Sequence, residues 1–178
     1  LADTTSTQAH WAAGQIEATQ QANNAAFANP GHWGPHAISQ IARQLLPDQT
    51  IAAVDTGAHR ILLSQLWQCK HPRSLLQSTG LCTMGVAVPM ALGYKFAKPG
   101  VPVVAFTGDA GMEMVLGDLA TVRDSGLPII IIIFVDESLA LIELKQRGMK
   151  LDNVGVDFKS TDFVSIGKAY GFHAEWVD

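Results

Sequence analysis

The sequence predicts an α/β protein built on a doubly wound parallel sheet with helices on both faces. Short apolar segments alternate along the chain with segments of helical periodicity, which is the order of elements in such folds. One apolar segment, residues 129–135, is a continuous and largely β-branched run, as expected for a strand buried on both faces. Two predicted strands end at an acidic residue, Asp109 and Asp136, and ligands bind beyond strand ends in these sheets.

The strands are predicted from short apolar runs that end at turn residues. Asp55-Thr56-Gly57 follows the first run, and Thr107-Gly108-Asp109 follows the third. The predicted strands cover residues 51–54, 75–77, 101–106, 129–135 and 172–177.

The helices are predicted from apolar residues at positions i, i+3, i+4 and i+7 and from residues that start or stop a helix. Pro35 suits the first helical position, and Pro47 ends the same helix. Gly126 and Gly171 follow the last residues of two others. The predicted helices cover residues 35–46, 84–96, 113–124, 139–147 and 162–170.

The domain organisation predicted is a single α/β domain over residues 30–178. Residues 1–29 are rich in Ala, Gln, Asn and Thr, which favours a linker or a remnant of a preceding domain. The chain has 178 residues, enough for one domain with an apolar core. Because the chain stops directly after a predicted strand, we expect a last helix and strand to be missing.

Composition argues against several classes of function. The net charge is −4 and no Lys/Arg cluster occurs, so neither nucleic acid nor an anionic membrane is an expected partner. The longest apolar run is too short to cross a bilayer, and the N-terminus lacks a signal-peptide pattern. Cys69 and Cys82 form no metal or redox motif, so a cytoplasmic location is expected.

An anion-binding turn is predicted at residues 108–111, Gly-Asp-Ala-Gly. A helix that begins here would present the free amides of Ala110 and Gly111 to an anion such as a diphosphate. Asp109 would repel that anion unless a divalent cation lay between them, and Mg²⁺ prefers carboxylate, phosphate and water oxygens. Taken alone, the segment could equally be an ordinary strand-to-helix turn.

A second acidic segment, residues 136–138, follows the next strand. The carboxylate of Asp136 would lie at the same edge of the sheet as Asp109, and the carbonyl of Ser138 could supply another oxygen. In isolation, Asp136-Glu137-Ser138 would more simply be a helix cap.

Several motifs, in the family's order, resemble those of enzymes that depend on thiamine diphosphate (ThDP), in particular the acetolactate synthases. Gly108-Asp109 and then Asp136 resemble the G-D-G signature, which closes on asparagine. Residues 55–60 resemble the D-V-G-x-H turn, and residues 78–85 resemble the G-L-G-T-M-G turn. Residues 113–121 resemble the E-L-A-T helix, and residues 157–158 resemble a D-F segment. The resemblance covers about residues 30–178 and implies the ThDP-binding fold of the C-terminal, diphosphate-binding domain.

The resemblance also implies roles for individual residues. Mg²⁺ would be held by the carboxylates of Asp109 and Asp136 and by the carbonyl of Ser138. The amides of residues 110 and 111 and the His59 side chain would hold the diphosphate. Met84 would support the bent cofactor. The implied cofactor-binding residues are His59, Cys82, Met84, Gly108, Asp109, Ala110, Gly111, Ser138 and Leu141.

In the same comparison, the Cys82 backbone would contact the aminopyrimidine ring and Leu141 would line the pocket near the thiazolium. Three positions depart from the family's pattern. Ala110 and Cys82 stand where glycine is usual, and Asp136 stands where asparagine is usual.

The function implied is diphosphate binding within a 2-oxo acid decarboxylase or carboligase of the acetolactate-synthase type. In that family a glutamate that activates the cofactor lies in a separate pyrimidine-binding domain, which nothing in this chain resembles. No catalytic residue is therefore expected in this chain, and the missing domain would come from further sequence or another chain, in a homo-oligomer. The alternatives are a free-standing subunit of a two-chain decarboxylase, similar to sulfopyruvate decarboxylase, and a degenerate, non-catalytic α/β interaction module.

Overall fold

The computed structural model describes residues 11–28, 31–159 and 161–178, and a parallel sheet lies at its centre. The strands coincide closely with the apolar runs in the sequence. They are β1 (Ile51–Val54), β2 (Leu75–Gln77), β3 (Val103–Gly108) and β4 (Ile130–Phe134).

The strand order is β2-β1-β3-β4, and every neighbouring pair is parallel. Val54 pairs with Phe106, and Phe106 pairs with Ile132, so the carboxyl ends of the central strands lie side by side. From β1 the chain runs outward to β2 and then returns to β3 on the other side of β1. The resulting switch in strand order places a crevice beyond the ends of β1 and β3, where ligands bind in such sheets.

Helices connect the strands and cover both faces of the sheet. They are α1 (Gln15–Ala26), α2 (Pro35–Leu45), α3 (Ala58–Leu66), α4 (Ala87–Ala97), α5 (Asp109–Glu113), α6 (Asp118–Ser125), α7 (Ala140–Gly148) and α8 (Phe163–Ala169). None of these helices in the described part of the chain is long and apolar enough to cross a membrane.

The two faces of the sheet bury separate apolar clusters because successive side chains of a strand point to opposite sides. On one face, Ala52 and Val54 of β1 pack with Leu63, Trp67 and Phe106. The opposite face carries the larger cluster, which joins the sheet to α4, α6 and α8 and includes Ile51, Ala53, Val88, Ala91, Val103, Ala105, Leu119, Val122 and Phe163. The predicted doubly wound α/β fold is therefore confirmed.

The helix predicted over residues 113–124 is wrong in its extent. The structure has α5 and α6 here, separated by a turn in which the Asp118 amide donates to the Val115 carbonyl at 2.9 Å. Gly126, with φ of 63°, ends α6 as predicted. α5 starts at Asp109, directly after the last residue of β3, so its first turn lies at the sheet edge.

The strand predicted over residues 172–177 is also wrong. This segment pairs with no strand in the described part of the chain, and Trp176 is exposed. The Phe172 amide instead donates to the Gly167 carbonyl at 2.9 Å, which completes the end of α8. Apolar residues at alternate positions form a strand only where a neighbouring backbone supplies hydrogen bonds.

The N-terminal linker or domain remnant stays a prediction, and residues 1–10, 29 and 30 lie outside the described residues. Within residues 11–28 the chain forms α1, which has no buried residue. The Asn23 side chain donates to the Gln65 carbonyl at 3.3 Å, so α1 contacts α3. Helix α3, which follows the turn at Gly57, was not predicted from the sequence.

Candidate functional site

A cleft of about 1060 Å³ opens beyond the carboxyl ends of the strands. It is lined by every site residue that the sequence predicted, although these residues come from separate segments of the chain. They are His59, Cys82, Met84, Gly108, Asp109, Ala110, Gly111, Asp136, Ser138 and Leu141. The fold therefore brings the predicted positions together in one place.

Asp109 is the first residue of α5 and is 2% exposed. One carboxylate oxygen accepts the Ala110 amide at 2.8 Å, and the other accepts the amides of Asp136 at 3.2 Å and Glu137 at 2.8 Å. The expectation of a free Ala110 amide is wrong, because the neighbouring carboxylate already occupies it. Asp109 thus joins the ends of β3 and β4 and keeps lone pairs for a cation.

Asp136 lies two residues after the end of β4 and faces the same cleft. Although Asp136 is exposed, neighbouring groups exclude part of the water from its carboxyl and so raise its pKa, and the charge of Asp109 raises it further. Two carboxylates this close repel one another, and a cation between them would relieve that repulsion. Within the described ranges, no three His, Cys, Asp or Glu side chains form a metal-binding group. Mg²⁺ would therefore also need main-chain, phosphate or water oxygens, and these are its ordinary ligands.

The loop after Asp136 is held by contacts on both sides. Ser138 forms a bridge with Asp157, and its hydroxyl donates to Glu143 at 3.1 Å. The Leu139 amide donates to the Val156 carbonyl at 2.8 Å. These contacts fix the start of α7, and with it Leu141, at the wall of the cleft.

His59 is in the first turn of α3. Its ring packs against Gly57, where a Cβ would lie only 2.6 Å from the ring, so a glycine is needed at position 57. The ring stacks on Phe134 with centroids 5.6 Å apart. Burial lowers the pKa of His59, although the negative charges of Asp55 and Asp109 act to raise it. Its Nε2 atom is buried without a hydrogen-bond partner among the described residues. An orphaned ring nitrogen at a cleft suits a polar ligand atom.

Ala110 and Cys82, the two residues that replace the family's usual glycines, differ in backbone conformation. Ala110 is helical in α5, so its side chain carries no left-handed strain. Cys82 has φ of 51°, a conformation that favours glycine, and it is exposed at the cleft. The substitution at position 110 is therefore tolerated, whereas the one at 82 strains the turn before Met84.

We expect Cys82→Gly to raise the free energy of unfolding by about 1 kcal/mol, because glycine adopts this φ without the Cβ clash. Cys82→Ala is the matched control, since it removes the thiol and keeps the Cβ. Urea denaturation of both variants and the parent measures the difference. Equal stability of the glycine and alanine variants would show that backbone strain is not the cause.

Asp55 has a part in the site that the sequence did not predict. It follows β1 and is completely buried, and its carboxylate contacts the turn after β1, the turn after Met84 and the end of β3. The signal in the sequence was an aspartate directly after a continuous apolar strand, a position where an acidic side chain needs partners from elsewhere in the fold.

Comparison with known proteins gives one family and a consistent set of relatives. The family of thiamine pyrophosphate enzymes, C-terminal TPP binding domain, matches residues 55–178. The chain is 36% identical over 131 residues to the probable acetolactate synthase large subunit of Methanocaldococcus jannaschii, covering 72% of this chain and 22% of that protein.

Two further relatives come from a bacterium and a plant. The acetolactate synthase of Bacillus subtilis is 30% identical over 137 residues, which are 77% of this chain and 24% of that protein. The chloroplastic acetolactate synthase 1 of Oryza sativa is 32% identical over 149 residues, which are 79% of this chain and 23% of that protein. The chain thus spans 22–24% of the length of these three relatives.

Proposed function

The chain belongs to the thiamine pyrophosphate enzyme family, as an acetolactate-synthase-like C-terminal TPP-binding domain, and from this membership we propose that it binds the diphosphate of ThDP through Mg²⁺. The observation that supports this most strongly is the shared cleft. Predicted cofactor and metal residues from four separate turns line it together, at the strand ends of a parallel sheet.

The metal part of the proposal assigns Mg²⁺ to the carboxylates of Asp109 and Asp136 and to the carbonyl of Ser138. The raised pKa of Asp136 supports this assignment, since it reflects burial and the like charge of Asp109. A divalent cation would offset that like charge, and it would also screen the acidic pair from an approaching diphosphate.

The diphosphate part of the proposal assigns anion contacts to the Gly111 amide and to His59. Burial lowers the pKa of His59, and a hydrogen bond to the Asp55 backbone raises it. The ring nitrogen that has no partner among the described residues is Nε2, so it is the atom we assign to the ligand. Because a neutral imidazole donates from one ring nitrogen only, we propose that His59 contacts the diphosphate in its protonated form. Gly108 lies beside the ring, since a Cβ there would be in van der Waals contact with it at 3.4 Å.

ThDP, when bound, supplies the carbanion chemistry, and the protein supplies position and charge. In our proposal Met84 supports the bent cofactor, the Cys82 backbone contacts the aminopyrimidine ring, and Leu141 lies near the thiazolium. For the whole enzyme we propose decarboxylation of a 2-oxo acid with carboligation. A pyrimidine-binding domain, from the same protein or a partner chain in a homo-oligomer, would carry the activating glutamate.

Calorimetric titration of ThDP into the protein tests the proposal, with Mg²⁺ or with EDTA. We expect binding with Mg²⁺ and at least about tenfold weaker binding with EDTA. Asp136→Ala should weaken Mg²⁺-dependent binding by about tenfold or more, because it removes a metal ligand. Asp136 is exposed, so this variant should keep its fold.

Asp152→Ala is the control, since Asp152 is also an exposed aspartate and does not line the cleft. It should bind ThDP as the parent does. ThDP affinity that is unchanged by EDTA, or an Asp136→Ala variant with unchanged affinity, would contradict the metal assignment. No binding at millimolar ThDP would instead favour a non-catalytic interaction module.

A further inference from the structure

The buried carboxylate of Asp55 connects turns that are far apart in sequence. One oxygen accepts the Thr56 amide at 2.8 Å and the Val86 amide at 3.2 Å. The other oxygen accepts the Gly85 amide at 2.8 Å and the Thr107 hydroxyl at 2.9 Å. These donors belong to the turn after β1, the turn after Met84 and the end of β3.

The turns also contact one another directly around this carboxylate. A Cβ at Gly85 would lie 3.3 Å from the Gly111 carbonyl oxygen, so the backbones of the two turns are already in close contact. A Cβ at Gly111 would lie 2.3 Å from an Asp55 oxygen. The carboxylate and the two glycines therefore form one packed unit in which no part can move alone.

The chemistry of the donors explains why an aspartate occupies this position. All four groups that contact Asp55 donate, and only an ionised carboxylate accepts at both of its oxygens. An asparagine of the same size would direct its amide group at one pair of donors. A buried negative charge beside an anion-binding cleft is unfavourable for the anion, so its presence needs a compensating role.

We propose that Asp55 is a positioning residue for cofactor binding, which holds the Met84–Gly85 turn at a set distance from the Gly108–Gly111 turn. This inference rests on the proposed function, in which the first turn contacts the aminopyrimidine side of ThDP and the second contacts the diphosphate. Asp55 touches neither part and acts through the two backbones. It sets the span between the two halves of the cofactor site.

The test compares ThDP affinity with fold stability in the protein with Mg²⁺. Asp55→Asn should weaken ThDP binding by about tenfold or more at a temperature where the variant is folded. Val122→Ala is the stability-matched control, because Val122 is buried on α6 outside the cleft. It should lower the melting temperature and leave the affinity unchanged. Equal affinities of the Asp55→Asn and Val122→Ala variants would overturn the proposal.

A second pair of variants decides the matter if Asp55→Asn does not fold. Thr107→Val removes one donor to Asp55 and keeps the side-chain shape, whereas Thr107→Ser keeps the hydroxyl. We expect Thr107→Val to weaken ThDP binding and Thr107→Ser to restore it. Loss of affinity in both variants, or in neither, would overturn the positioning role.

Hydrogen exchange without the cofactor separates this inference from the proposed function. In Asp55→Asn, or in Thr107→Val where the first variant does not fold, amides of residues 83–86 and of α5 should lose protection together. Exchange confined to one turn would overturn the coupling. If the parent binds no ThDP, the proposed function and the cofactor role of Asp55 both fail, and the exchange result alone then decides whether Asp55 couples the turns.

Discussion

Gly111→Ala is expected to destabilise the fold by about 3 kcal/mol and to abolish Mg²⁺-dependent ThDP binding. The added Cβ would lie 2.3 Å from an Asp55 oxygen and 3.0 Å from the Thr107 hydroxyl. Asp55 is completely buried and held by four hydrogen bonds, so its carboxylate cannot turn away without breaking them. The substitution therefore disturbs all the turns that contact Asp55.

Gly117→Ala is the matched control for this prediction. Gly117 has φ of −60° and ψ of −27°, and nothing lies within 4 Å of a Cβ built there. Alanine at this position should be neutral or stabilising by up to about 1 kcal/mol. Denaturant unfolding of both variants measures the difference. A Gly111→Ala variant as stable as Gly117→Ala would show that the groups around Gly111 can move apart to accommodate the added Cβ.

Asp109→Ala should have the second large effect, on binding and on stability together. The carboxylate is 2% exposed and accepts the amides of Ala110, Asp136 and Glu137. Its removal leaves these donors without their acceptor, which we expect to cost about 2–3 kcal/mol. Loss of a metal ligand should in addition weaken Mg²⁺-dependent ThDP binding by about 100-fold or more.

Asp109→Asn separates the effect on stability from the effect on metal binding. The side-chain carbonyl of the asparagine still accepts hydrogen bonds, whereas its amide group does not. We expect a smaller loss of stability than in Asp109→Ala and a comparable loss of Mg²⁺-dependent binding. Thermal unfolding and titration of ThDP with and without EDTA provide both readouts. If Asp109→Asn binds ThDP with parental affinity in Mg²⁺, the negative charge of Asp109 is not required for metal binding.

Local patterns predicted most of the fold because they reflect local physics. The strands at Ile51–Val54, Leu75–Gln77 and residues 129–135 follow from short apolar runs, and α2 follows from Pro35 and the spacing of its apolar residues. The errors lie where the outcome depends on distant contacts. The segment over residues 172–177 has strand-like composition but no neighbouring strand in the described chain.

The sequence alone determined the family and the parallel α/β fold class, and it predicted the candidate site residues, because motifs and periodicity are properties of neighbouring positions. The tertiary structure decided how those residues are used. It showed that Asp109 binds the Ala110 amide and the turn after β4, that His59 has a buried nitrogen without a partner among the described residues, and that Asp55 joins two turns to the end of β3. The bond of Asp55 with Gly85 links residues 30 positions apart, and its bond with Thr107 links residues 52 apart, so packing around the sheet has to bring them together.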